Sequence, residues 1–190
     1  MNLDDDTYSE SRELLNLVLD TPPIILDELG DYGLDIFKNI NDLLSKKEEE
    51  LTRLQKSIVT AIYWFGNAVK EKERRMKFVK IIMALETILI PDGGKEKRNK
   101  ISKRFVSIIY NYSSDEEKYK IYLDVRVLYG IRNSIIHSGI GYVYDDDLVQ
   151  IRYWTQSLIQ FVLKYIDKYH TIEELINNEF PINEHLYSSS

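Results

Sequence analysis

An arginine, an asparagine and a histidine lie within six residues of one another in Tyr129-Gly-Ile-Arg-Asn-Ser-Ile-Ile-His-Ser-Gly139. Arg132, Asn133 and His137 form a coherent set for one reaction, metal-free cleavage of RNA. An imidazole, titrating near pH ~6.5, can take a proton from a ribose 2′-hydroxyl or return one to a leaving oxygen. Such help is worth roughly 10²–10⁴ in rate. A guanidinium offers a planar, always charged fork to phosphate oxygens, and an amide can hold substrate or fix the imidazole. The same residues also have a plainer use, since Arg and His in the last turn of a helix complement its dipole by ~0.3–1 kcal/mol.

The element that must position them is an apolar helix. Leu128, Ile131 and Ile135 recur at three- and four-residue spacing, which marks a face turned to a core. Gly139 stands where a helix C-cap wants a residue free to take positive φ. At about 100° per residue, Asn133 and His137 lie one turn apart on one side. Arg132 is offset from His137 by roughly 140°, so only its length lets it reach round. Gly130 costs the helix ~1 kcal/mol relative to Ala. Either a close approach of another helix, such as one across a dimer axis, or simple tolerance accounts for it.

The remaining pattern is helical throughout. Ser9 to Leu19 has helical apolar spacing and stops at Pro22-Pro23; Leu34 to Leu44 is a second amphipathic piece. From Glu48, Leu51, Leu54, Ile58, Ala61, Ile62, Phe65 and Val69 mark a long helix, and Phe78 to Leu89 another. Pro91-Asp-Gly-Gly94 breaks the chain. A third helix carries Ile101, Phe105, Ile108 and Ile109. Ser114-Asp-Glu-Glu117 is a capping-box signature opening the helix that ends at His137. Leu148 to Ile166 reads as a long final core helix, with Thr171 capping one more short one. No period-2 strand is present, so the fold class is all-α, with about four or five core helices.

Composition narrows the chemistry. The 190 residues contain no cysteine, which excludes disulfides and thiolate metal sites and favours the cytoplasm. His137, His170 and His185 are too dispersed for a metal site. No phosphate loop or serine elbow occurs, and no apolar run is long enough for a membrane span; no metal, cofactor or membrane partner is expected. The net charge of −6 conceals an asymmetry: residues 1–50 carry 14 acidic and 4 basic side chains, whereas residues 51–190 are net +4. An acidic total is thus compatible with a polyanion partner.

One basic run, Lys95-Glu-Lys-Arg-Asn-Lys-Ile-Ser-Lys-Arg104, carries six positive charges against one negative. It reads either as an exposed helix start or as a phosphate-contacting surface in which Lys97, Arg98, Lys100 and Lys103 bind RNA. Of the 14 tyrosines, Tyr110, Tyr112, Tyr142 and Tyr144 lie in or near loops, where they could stack on unpaired bases.

Arg132-Asn-Ser-Ile-Ile-His137 resembles the Arg-x4–6-His motif of HEPN domains, and more of the chain is similar to the Apea-like branch of that family. Ile62-Tyr-Trp-Phe-Gly-Asn-Ala68 resembles its Trp-containing helix and Ala84-Leu-Glu-Thr-Ile-Leu89 its Ala-Leu-Glu helix. Ile101-Ser-Lys-Arg-Phe105 resembles the Arg-containing helix, and Leu128-Tyr-Gly-Ile-Arg-Asn133 the approach to the motif. The likeness covers about residues 55–168. It implies a HEPN-type bundle over residues 47–180, preceded by an acidic helical extension or linker (1–46) and followed by a disordered tail (181–190). It further implies a homodimer whose paired motifs form one composite cleft, and a metal-independent endoribonuclease of prokaryotic defence, abortive infection or toxin type. On that likeness Arg132 and His137 are catalytic, Asn133 assists, and Glu86 and Arg104 brace the site. The implied partners are RNA, a second copy, and a sensor domain or antitoxin. Some HEPN toxins carry a modifiable Tyr two residues after the His; here that position is Gly139. The alternative within the family is a non-catalytic module that binds nucleotide or RNA, or only dimerises, in a larger sensor.

Overall fold

Helix boundaries follow from local capping chemistry. A computed structural model describes residues 30–187, which form seven α-helices and no strand. They are α1 (Gly30–Ser45), α2 (Arg53–Lys70), α3 (Arg74–Leu89), α4 (Lys97–Ile109), α5 (Asp115–Ser138), α6 (Asp145–Leu163) and α7 (Ile172–Glu179), with single 3₁₀ turns at Glu48–Glu50 and Glu184–Tyr187. Thr52, Ser114 and Thr171 each accept the N–H of the residue three positions on, satisfying a donor that the first turn leaves orphaned. The α3–α4 break is made by Gly93 and Gly94, both at positive φ.

Side-chain distribution decides which helix is central. In α3 the buried set is Phe78, Val79, Ile81, Ile82, Ala84, Leu85, Ile88 and Leu89, which covers well over half of the helix circumference. Such a helix belongs inside, and α3 packs against α2, α4, α5 and α6. By contrast, α2 buries one stripe (Leu54, Ile58, Ala61, Ile62, Phe65, Ala68) and keeps Lys56 and Thr60 in solvent. Phe65, Phe78 and Phe105 are fully buried; truncating any one to Ala costs about 3–5 kcal/mol. The all-α expectation therefore holds, and among the described residues no helix is long and apolar enough to cross a membrane.

Two sequence expectations are corrected, and the N-terminal extension gains contacts that the sequence did not show. The helix of the N-terminal extension reaches the core: Ile40 and Leu43 of α1 are buried with the rest, and the Asn39 side-chain amide donates to the Leu163 carbonyl at 3.2 Å. The final core helix ends at Leu163 rather than Ile166, and hydrogen-bonded turns carry the chain through Lys168. The tail is docked as far as Tyr187, whose buried ring lies 4.6 Å from that of Tyr122. The helix read at Ser9 to Leu19 and the last three serines lie outside the described residues.

Gly130 faces a side chain rather than a neighbouring helix backbone within the chain, and a Cβ would fit there in ordinary contact, so no close approach among the described residues requires the glycine. A Cβ there would sit 3.5 Å from the guanidinium of Arg98, which crosses α5 to donate from Nε to the Arg126 carbonyl at 2.7 Å.

Candidate functional site

Glu86, in the last turn of α3, is the hub of the polar cluster beside Arg132. Its carboxylate accepts from Lys97 Nζ at 2.8 Å and pairs with Arg132 NH2 at 3.2 Å. The Tyr129 hydroxyl donates to the same carboxylate at 3.2 Å. Tyr129 and Arg132 are one turn apart on α5, so the guanidinium also lies 5.5 Å from the Tyr129 ring centre. Burial first, and then the Glu86 charge, push the Tyr129 hydroxyl up to about 12. Arg132 NH1 donates to the Asn133 side-chain oxygen at 3.1 Å, while its Nε is buried with no hydrogen-bond partner.

This cluster forms one wall of a cleft of about 490 Å³. The first half of α2 supplies Arg53, Lys56, Ser57 and Thr60, and the end of α3 supplies Met83, Glu86, Thr87 and Ile90. Pro91, Asp92 and Gly93 form the rim, with Lys97 from α4 and Arg132 from α5. Arg53 pairs with Asp92 across the rim. Four cationic and two acidic side chains therefore line the cleft, a balance that attracts anions. Arg53, Lys56, Thr60, Thr87 and Tyr129 carry no motif that would mark them as site residues along the chain. Only the one-turn spacing of Tyr129 and Arg132, and of Lys56 and Thr60, hints at shared faces.

His137 is placed elsewhere. It is exposed in the last turn of α5, lines no part of the cleft, and has no polar partner among the described residues. Gly139 ends the helix in the left-handed region (φ 65°), its N–H bonded to the Ile135 carbonyl, and its own carbonyl accepts from Arg75 NH1 at 3.2 Å. The expected convergence of Arg132, Asn133 and His137 on one hollow is thus not met within a single chain, because the 140° offset on the helix persists and Glu86 holds Arg132 on the α3 side. Close to His137 along the chain, Ile136, Ile140, Tyr142 and Tyr144 are exposed, and the last two meet edge to face at 4.7 Å.

The basic run is divided by the helix period. Lys97 enters the cleft, and Arg98 turns to α5. Lys100 and Lys103 line a different groove, where Lys103 pairs with Glu184 at 2.5 Å. Arg104, expected to brace the site, is buried against other partners: it donates to the Leu89 carbonyl at the end of α3 and pairs with Glu173 of α7 at 2.7 Å. Tyr110 is also committed inside, accepting from Trp154 Nε1 at 3.0 Å, whereas Tyr112 is exposed. Among the described residues no cluster of three or more His, Asp or Glu side chains is arranged to hold a metal ion. No protein-family model matches the chain, and neither a curated protein nor a solved structure matches it.

Proposed function

We propose that the chain is a metal-independent endoribonuclease module, active as a homodimer and serving a defence system of the abortive-infection or toxin type, as its likeness to HEPN domains implies. One observation carries this reading: a single helix presents an anion-cleft guanidinium, Arg132, and, less than two turns further on, an exposed imidazole with no partner of its own. In the reaction, an imidazole removes the ribose 2′-proton as the 2′-oxygen bonds to the adjacent phosphorus. The 5′-oxygen then leaves and takes a proton from the imidazolium so formed, yielding a 2′,3′-cyclic phosphate and a 5′-hydroxyl and restoring the neutral imidazole. Arg132, released from Glu86 by the incoming phosphate, offers its fork to the extra negative charge of the phosphorane. Lys97 and Lys56 supply further positive charge in the cleft. Asn133 holds the guanidinium by its side-chain oxygen. Because His137 lies outside its own chain's cleft, a second copy is needed to bring an imidazole to the phosphate.

A second reading is favoured by the Glu86 pairings, which engage both Arg132 and Lys97 in the resting chain: a module that binds RNA without cutting it. Incubating labelled single-stranded RNA with the protein in EDTA separates the two. The ribonuclease reading expects cyclic-phosphate products that fall at least about 100-fold in His137→Ala and Arg132→Ala. Binding with no product selects the second reading, and neither binding nor cutting removes both.

A further inference from the structure

The groove on the other side of α4 is lined by Lys95, Glu96, Asn99, Lys100 and Lys103 from the basic run and closed by Ile182 and Glu184 of the C-terminal segment; it measures about 390 Å³. Its cations are not equivalent. Arg104, at its floor, is consumed by Leu89 and Glu173. Lys103 is mostly buried, held by Glu184 at 2.5 Å and poised 5.4 Å from the Tyr187 ring centre. Lys95 and Lys100 are exposed and have no ion-pair or hydrogen-bond partner among the described residues.

Glu184 therefore sits as an anion on the deepest lysine of a groove in which four cations (Lys95, Lys100, Lys103 and Arg104) outnumber two carboxylates (Glu96 and Glu184). Its side chain is 65% exposed and rides on a four-residue turn (Glu184–Tyr187) whose fixed end is the Tyr187–Tyr122 ring contact. Because the Glu184 side of the pair is open to solvent, its attraction is screened and another anion can exchange for it on Lys103. We infer that this groove is a second contact for the RNA backbone, with Glu184 occupying a phosphate position on Lys103 that the RNA must take over. The C-terminal turn then acts as a built-in competitor, lowering affinity for short RNA and yielding to strands long enough to engage Lys95 and Lys100 as well. This inference rests on the RNA reading above and extends the bound strand beyond the Arg132 cleft.

The test is fluorescence anisotropy with labelled single-stranded RNA in EDTA, over a salt series, on the full chain. The variants are Lys95→Gln/Lys100→Gln, Glu184→Gln, and Lys72→Gln as a control at the opposite end of α3. The double variant is expected to bind about threefold to tenfold more weakly. Its salt slope should be reduced by about 1.4, or about 0.7 for each phosphate of a single strand that is no longer neutralised. Glu184→Gln is expected to bind about threefold more tightly, since a competing charge is removed. If wild type binds and cuts RNA while the double variant matches Lys72→Gln in affinity and slope, or Glu184→Gln is unchanged, the groove proposal is overturned and the cleft reading survives. If wild type neither binds nor cuts RNA, the underlying reading fails and the groove falls with it.

Discussion

Glu86 ties two cations and a phenol to one carboxylate that is only 14% exposed. Removing its charge leaves Arg132, itself 16% exposed, without a counter-ion in a mostly dry setting. Glu86→Gln should therefore cost about 1–3 kcal/mol of stability, less than for a fully buried pair because both groups still touch water. The same change should let Tyr129 ionise at lower pH, visible in an ultraviolet phenol titration; an unmoved titration would mean that the carboxylate does not act on the phenol. Tyr129 and Tyr187 are both raised from 10.0 to about 12, by burial above all. A raised folded-state value favours the protonated fold. The stability it gives is complete below about pH 10 and drains away as pH climbs towards 12. Unfolding measured across that window should show stability falling with pH, and Tyr129→Phe or Tyr187→Phe should each make the fall shallower. None of this network is legible along the chain. Sequence alone reads Lys97 as an RNA contact and Glu86 as a brace, but that they meet depends on the turn at Gly93-Gly94, which returns α4 to the end of α3.

At the scale of elements, the end of α5 is shaped by the segment that leaves it. Gly139 caps the helix, and two residues later the chain folds under it, so that a Cβ on Gly141 would lie 2.5 Å from Ile135 Cγ1. Ile135 is buried and has no room to retreat. Gly141→Ala should thus cost about 1–3 kcal/mol through overpacking. Gly130→Ala is the contrasting case: its Cβ would make ordinary contact with Arg98 at 3.5 Å. The change should be neutral or stabilising by up to about 1 kcal/mol, the helix-propensity difference. Thermal unfolding of the pair decides whether space or backbone freedom governs these glycines; equal effects would contradict the packing described. Helix ends are readable from sequence because capping is local: Ser114, Thr171 and Gly139 act as their spacing says. The extension at α1 and the C-terminal turn escape such a reading because the residues that hold them are remote, Leu163 for Asn39 and Tyr122 for Tyr187. Acidic or polar composition at a chain end gives no sign of such contacts.

For the whole molecule, the decisive question is how one helix could serve the proposed RNA cleavage, in which the acid–base group and the anion clamp point different ways. A second copy resolves it if the exposed tip of α5 is where copies meet. Ile140 is 74% exposed and Tyr142 68%, and they follow His137 within five residues along the chain. Burying such side chains between subunits supplies association free energy at about 25 cal/mol per Å², and it desolvates the imidazole where the reaction would occur. Activity should then depend on the square of protein concentration when dilute and on its first power when dimers are saturated. Ile140→Asp, which touches no reacting group, should move the midpoint of that dilution curve to at least about tenfold higher concentration, equivalent to ~1.4 kcal/mol of lost association, while leaving the plateau rate unchanged. The measurement is specific activity on excess RNA across a dilution series, with sedimentation recording the oligomer at each point. Full specific activity in a sample shown to be monomeric would defeat the composite site, because in one chain the imidazole has no route to a phosphate held at Arg132.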